Sequence, residues 1–205
     1  MNKIIFTDTE TTGFGKHPVF GHPQVIELGM VALDITVDDF VALELTEYSQ
    51  MEGLAEGIFV QRYLPSMAIH PEASKVNGIV IEDLLGCPKS PLATEDFLKF
   101  VYGGYVIGQN IAYDMNCLGD PKDIPTLCTK KLAKAVGGKF PMPKSLSQDK
   151  LIQHFFPKTW EQHVGKIHTA LGDCWKNMLL MQKLLTYFPG FKTWKDVEIF
   201  LLTVK

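Results

Sequence analysis

Apolar positions recur along the chain at two periods, and the period changes from one stretch to the next. Lys3 to Thr9 (K-I-I-F-T-D-T) has the composition of a buried strand, with Asp8 and Glu10 two apart at its end and so on one face. Gln24 to Leu33 predicts a second strand, and Ile58 to Leu64, closed by Pro65, a third. Tyr105 to Gln109 predicts a fourth, and Ile124 to Cys128 a short fifth. Helical spacing marks Pro71 to Asn77 (before Gly78), Thr94 to Tyr102 with a T-x-D start, Ala112 to Leu118, Thr129 to Val136 and Ser145 to Phe156. Ala170 to Phe188 is the longest predicted helix, with Cys174, Met178, Met181 and Leu185 along one stripe. Thr193-x-x-Asp196 reads as a capping box opening a last helix to about Leu202. Phe14 to Pro23 is a loop rich in Gly, His and Pro, and Asp34 to Gly57 reads as an acidic insertion. Strands first, then alternating helices and strands, predict a three-layer α/β domain. The length fits one domain over residues 1–205, with its core at about 3–186 and an added C-terminal helix at about 193–203.

Composition narrows the class. Apolar content of 46% and charged content of 21% are those of a soluble globular protein. No run of ~18 apolar residues predicts a membrane span. The N-terminus enters a strand without a signal-peptide pattern, so a cytoplasmic location is expected. Cys87, Cys117, Cys128 and Cys174 are scattered without a C-x-x-C pair and read as reduced thiols. The net charge of −3 argues weakly against nucleic-acid binding, but its distribution softens that. Asp34 to Gly57 holds seven acids and no base, whereas Pro121 to Lys158 holds eight lysines against Asp123 and Asp149. Such a lysine run is either a solvated face or a sequence-neutral contact with a polynucleotide backbone.

The candidate chemistry lies in three separated places. Asp8 and Glu10 close the first strand before Thr11-Thr12-Gly13. Asp114 follows the fourth strand by a short turn at Asn110, and His168 and Asp173 bracket the start of the longest helix. Each has an ordinary reading alone: solvated acids at a strand end, an acid favoured by a helix dipole, a capping histidine. Together they place four carboxylates and one imidazole at the ends of buried elements. Four crowded acids repel unless a cation joins them, and oxygen ligands suit Mg²⁺ or Mn²⁺. Same-face residues two apart on a strand lie roughly 6–7 Å from each other. That separation suits a pair of ions ~3.5–4 Å apart, an arrangement that hydrolyses phosphodiesters. His168 and Asp173 are five apart and face one site only if His168 precedes the helix and Asp173 lies in its second turn. His168 is then free to take a proton.

Three motifs, D-T-E-T-T-G at 8–13, N-I-A-Y-D at 110–114 and H-T-A-L-G-D at 168–173, resemble the DEDDh 3′–5′ exonucleases, the superfamily of DnaQ-like proofreading subunits. A fourth segment, Leu64 to Leu84, is also similar, so the likeness spans residues 3 to 186. The resemblance implies a ribonuclease H-like fold, a central mixed five-stranded sheet flanked by helices. It implies that Asp8, Glu10, Asp114 and Asp173 bind two metal ions, Mg²⁺ or Mn²⁺, and that His168 is the general base. It places Glu72 at the terminal nucleotide. The related tyrosine subclass has tyrosine four residues before the last Asp, where this chain has Thr169. Three features depart from the family pattern: Asn77 where many relatives carry histidine, the long acidic stretch 34–57, and a short span from Asp114 to Thr126.

Weaker candidates complete the reading. Thr11, Thr12 and Gly13 form a turn whose backbone N–H groups can meet a ligand, and Phe14 can stack on a terminal base. Asn77 and Asn110 join Glu72 as candidate substrate contacts, with Asn110 tying its turn through its side-chain amide. His17 and His22, each followed by proline, read as a loop rather than a metal site, and Trp160, Trp175 and Trp194 as packing residues. The expected activity is release of nucleoside 5′-monophosphates from single-stranded 3′ ends, DNA before RNA, in proofreading or repair, alone or with a DNA polymerase in trans. An RNA-trimming exonuclease and a non-catalytic nucleic-acid-binding module with a vestigial site are the alternatives.

Overall fold

The protein is described from a computed structural model, which covers residues 2–14, 21–43, 45, 52–157 and 168–204. Five strands form one mixed sheet in the order β3-β2-β1-β4-β5. They are β1 (Lys3–Thr11), β2 (Val25–Asp34), β3 (Gly57–Arg62), β4 (Tyr105–Gly108) and β5 (Thr126–Cys128). β1 is the hinge of the topology: it pairs antiparallel with β2 and parallel with β4. Its side chains alternate between two cores. Ile4 and Phe6 enter one apolar cluster and Ile5 enters the other.

Helices cover both faces. On the Phe6 face lie α1 (Val37–Ala42), α5 (Thr129–Gly137), α6 (Gln148–Phe155), α7 (Ala170–Leu185) and α8 (Trp194–Thr203). On the Ile5 face lie α3 (Leu92–Val101) and α4 (Ala112–Cys117). The helix α2 (Pro71–Asn77) is followed by a 3₁₀ turn (Ile81–Leu84) whose Leu84 joins Ile26 and Ile79 in a small third cluster. This is the expected three-layer arrangement.

Local chemistry explains most boundaries. α2 begins at Pro71 behind His70, whose Nδ1 accepts from the Glu72 N–H, and it ends where Gly78 turns left-handed at φ 70°. The capping box at α8 forms as expected: Thr193 Oγ1 accepts from the Asp196 N–H, and the Asp196 carboxylate accepts from the Thr193 N–H. Trp194 is buried edge-on to Phe40, its indole N–H donating to the Ile35 carbonyl. α3 departs from expectation. It starts at Leu92 rather than Thr94, because Thr94 turns its hydroxyl to the Leu118 carbonyl instead of capping the helix. β5 is shorter than expected, starting at Thr126. α6 starts at Gln148 and α7 ends at Leu185. The acidic stretch contains α1, capped by Thr36; residues 44 and 46–51 lie outside the described residues. No described helix is long and apolar enough to cross a membrane, and all four cysteines are free.

One contact positions everything that follows. Gly29 on β2 pairs with Asp8 on β1, and the first turn of α7 sits directly on it. A Cβ at Gly29 would lie 2.5 Å from the Ala170 carbonyl carbon and 2.6 Å from the Leu171 nitrogen. Both are backbone atoms, so the helix would have to move. Gly29→Ala is expected to destabilise the protein by about 1–3 kcal/mol, the range for overpacking a tight interior contact. Urea unfolding reads this directly, and an unchanged midpoint would show that α7 does not need the close approach.

Candidate active site and metal centre

The site is assembled at the end of β1 from both faces of the sheet. Asp8 and Glu10 share the Phe6 face, under the first turn of α7, and Asp173 enters from that turn. One ligand oxygen from each of Asp8, Glu10 and Asp173 lies within 4.8 Å of the others. Thr9 points the opposite way and holds Asp114 of α4. Its N–H and Oγ1 donate to Asp114 Oδ1 at 3.1 and 2.7 Å. Asp114 stands beside the trio, and its charge raises the pKa of Asp8 more than that of Asp173 or Glu10 does.

α7 is fixed by β2. Glu27, 4% exposed, accepts from the Ala170 N–H at 3.0 Å and from Arg62 Nε at 2.9 Å. A buried carboxylate thus answers an otherwise unpaired donor at a helix N-terminus. Thr169 caps the same helix through the Gly172 N–H, and Gln148 of α6 donates to the Asp173 carbonyl at 2.8 Å. His168 precedes the helix, its N–H donating to the Val76 carbonyl of α2. Its Nδ1 lies 2.8 Å from Asp173 Oδ2. The expected loop position is therefore observed, but Asp173 lies in the first turn of α7 rather than the second.

Crowding is visible in the acids' proton affinities. Burial, then Asp114, Asp173 and Glu10, hold the Asp8 carboxyl well above the usual range. Burial and Asp173 push Glu10 up to about 7, although the Asn77 side chain donates to it. Burial pushes Asp114 up to about 6 against the pull of its Thr9 hydrogen bonds. Hydrogen bonds to Asp149 and Asp173 raise His168 to about 10. Only one buried ammonium answers these charges: among the described residues, Lys176 on α7 has its Nζ 2.5 Å from Asp173 Oδ1. The donor set is all oxygen, it is buried and converging, and it is under-neutralised. That set fits hard divalent cations such as Mg²⁺ or Mn²⁺.

Several solved structures share this fold. Exonuclease X in complex with 5′-overhanging duplex DNA matches at a TM-score of 0.64 and 19% identity, covering 95% of this chain and 99% of that one. The nuclease domain of 3′hExo, a DEDDh family member bound to rAMP, matches at 0.63 and 14%, covering 94% and 96%. In sequence, the DNA polymerase III subunit epsilon of Aquifex aeolicus (strain VF5) is 26% identical over 173 residues, 78% of this chain and 79% of that protein. The chain is thus similar in sequence to a polymerase III epsilon subunit and shares its fold with exonucleases, among them a DEDDh family member. Its five-stranded sheet flanked by helices is the fold of these solved exonucleases. No family model matches this chain.

The remaining candidates divide in two. Asp8, Glu10, Asp114, His168 and Asp173 all meet at the site. Thr11, Thr12 and Gly13 are buried and tie the chain together: the Thr12 N–H donates to the Gln24 carbonyl, the Thr12 carbonyl accepts from the His70 N–H, and Tyr113 donates to the Gly13 carbonyl. The Thr12 N–H is thus already paired, contrary to the expectation that this turn offers its N–H groups to a ligand. Asn77 is 4% exposed and faces Glu10. Asn110 holds its turn through its backbone carbonyl, which accepts from the Tyr113 N–H, rather than through its side-chain amide. Phe14 is 68% exposed, and Glu72 is exposed in an ion pair with Lys75. His17 and Trp160 lie outside the described residues.

Sequence reading missed Glu27, Gly29, Thr9, Asp149 and Lys176. Two signals were present. A glycine inside a buried strand marks a close approach of another backbone, and an acid in the run V-I-E-L-G-M-V needs a buried partner.

Charge crowding fixes how stability must vary with pH. Without a cation, Glu10 (from 4.5 to about 7), Asp114 (from 3.8 to about 6) and Asp8 all bind protons more tightly folded than unfolded. His168, raised from 6.5 to about 10, has the same sign. Each contribution is fully present below the unfolded pKa and is lost as pH rises through the folded one. In EDTA the melting temperature should therefore fall between pH 5 and pH 9. Mn²⁺ should raise it strongly at pH 8 and little at pH 5, where protons already occupy the acids. A melting temperature in EDTA that is flat or rises over this range would contradict the crowding.

Proposed function

We propose that this chain is a metal-dependent 3′–5′ exonuclease that hydrolyses the terminal phosphodiester of single-stranded DNA and releases nucleoside 5′-monophosphates. The observation that carries the reading is the meeting of Asp8, Glu10 and Asp173, with Asp114 beside them and His168 on Asp173. Such a set has no use as packing, because it costs folding energy at neutral pH. Asp8, Glu10, Asp114 and Asp173 would hold two divalent ions, Mg²⁺ or Mn²⁺. Those cations supply Lewis-acid chemistry, acidifying a water and offsetting charge on the phosphate. Water attacks the terminal phosphorus, the P–O3′ bond breaks, and His168 takes the water's proton. The 3′ oxygen is reprotonated from solvent.

Likeness to a polymerase subunit supports DNA and a polymerase in trans, whereas the rAMP-bound neighbour favours RNA as the second reading. A groove of about 350 Å³ begins at Asn110, one turn before Asp114, and is lined by Lys130, Lys131, Lys134, Leu146 and Leu202. Its lysines suit phosphate contacts without base reading. Exposed Phe14 suits stacking on a base.

The test is a product ladder on matched 5′-labelled DNA and RNA oligonucleotides with Mn²⁺ and with EDTA. Stepwise shortening from the 3′ end in Mn²⁺ alone is expected, faster on DNA; RNA as the faster substrate would select the second reading. Asp8→Asn should abolish the ladder while raising the melting temperature in EDTA, since the amide removes one repelling charge. Near-native cleavage by that variant would refute the site. His168→Gln should lower kcat by about 10²–10⁴-fold, the range of general-base catalysis. Reversing Lys130, Lys131 and Lys134 to glutamate should raise KM and flatten its salt dependence with little change in kcat. An unaltered KM would return the cluster to a solvated face.

A further inference from the structure

The acids and the groove that begins at Asn110 share one end of the sheet. β1, β4 and β5 run parallel, and Glu10, Asn110 and Cys128 stand at or just past their carboxyl ends. Ligands of open α/β sheets settle at that end. The sheet order then separates two sides. α2 is tied to the end of β1 through the His70 N–H and the Thr12 carbonyl, and its Asn77 faces Glu10. The groove lies on the other side, over β4 and β5, and takes in Ala112, the first residue of the helix that carries Asp114. The acids on β1 therefore stand between α2 and the groove.

The lining of the groove is divided by chemistry. α5 contributes exposed Lys130, Lys131 and Lys134, and among the described residues no acid lines the groove. The apolar part comes from Ile111, Leu146 and, on α8, Leu201 and Leu202. Leu201 is packed into the core, whereas Leu202 is 77% exposed. One exposed leucine alone needs no explanation. This one borders a cationic groove that leads to the acids.

We propose that the groove holds the retained strand, on the 5′ side of the scissile bond, and that α8 is a substrate-binding element whose Leu202 lies against the base faces of that strand. This inference rests on the exonuclease reading above. A single strand offers phosphates to cations and base faces to apolar side chains, and both contacts tolerate any sequence. α5 supplies the first kind of surface and α8 the second. At about 350 Å³ the groove has the size of a small-ligand cleft, enough for roughly one or two nucleotides and too small for a duplex. Base faces in a duplex are also stacked inside and cannot meet Leu202. The groove thus selects strands that are unpaired next to the cleaved bond.

Leu202 can be altered without touching the site or the core. The test compares two substrates: a thymidine oligonucleotide of about ten residues, long enough to fill such a groove, and the p-nitrophenyl ester of thymidine 5′-monophosphate, whose leaving group replaces the retained strand. Leu202→Glu should raise KM for the oligonucleotide by roughly 10-fold, within the range for losing one base contact, with kcat nearly unchanged. It should leave the ester kinetics and the melting temperature as they were. Leu202→Trp should lower the same KM, a gain that structural damage does not produce. A footprint gives a second measurement. Cys128 lines the groove and Cys87 follows the 3₁₀ turn far along the chain, both partly exposed. With the oligonucleotide shown by anisotropy to be bound to the Asp8→Asn protein in Mg²⁺, alkylation of Cys128 should slow and that of Cys87 should not. An unchanged oligonucleotide KM in Leu202→Glu overturns the proposal, as does an equal rise in KM for the ester. So does unslowed alkylation of Cys128 under the bound strand; protection by polyglutamate instead would assign the groove to an acidic protein partner. If neither substrate is cleaved, the exonuclease reading fails, and the footprint still decides whether the groove holds a strand.

Discussion

The close approach of α7 to β2 at Gly29 is the constraint on which the site depends. Glycine there lets the helix backbone rest on the sheet, and Glu27, two residues earlier on the same face, takes the first N–H of the helix. Both lie across from acids of β1, Gly29 from Asp8 and Glu27 from Glu10. The helix start is therefore fixed relative to the two strand carboxylates, and Asp173 in its first turn meets both of them. A bulkier residue at position 29 would lift Asp173 away from Asp8 and Glu10 together.

The opposite face of the sheet supplies the fourth acid by a different route. Alternation along β1 sends Asp8 and Glu10 to one side and Thr9 to the other, where it holds Asp114 with two hydrogen bonds. A single strand thus presents two carboxylates and orients a third. The outcome is more negative charge than the buried protein groups offset. Lys176 balances part of it, and the remainder raises the proton affinity of Asp8, Glu10 and Asp114. Arrangements that oppose folding in this way persist where a ligand relieves them. Lys176 has a further consequence: Asp173 is paired with it and with His168, so removing Asp173 would take the nearer of two carboxylates from a buried ammonium and leave it only Asp149 at 3.6 Å, whereas Asp8 can be neutralised without loss.

Legibility in the sequence followed the range of the physics. Element types were readable from periodicity, and the caps at Gly78 and at Thr193 and Asp196 were readable because they are local. The five chemistry-bearing residues were readable as motifs, although no single one carried the case. What stayed hidden was what depends on distant packing. Thr94 has the composition of a cap but serves the Leu118 carbonyl, 24 residues away. Thr11 and Thr12 resemble a ligand-binding turn, yet Gln24, His70 and Tyr113 occupy their polar groups. Lys176 sits one helical turn after Asp173 and belonged to no motif. Its role follows only from burial beside two carboxylates on different helices.

The central claim is that these acids are arranged for divalent cations rather than for packing or solvation. Mn²⁺ binding at pH 8, followed by electron paramagnetic resonance on the metal-free protein, tests it most directly. Saturable binding of two ions with a spin-coupled signal is expected, and Asp8→Asn should abolish the coupling. A free-Mn²⁺ spectrum that persists unchanged in the presence of excess folded protein would contradict the account.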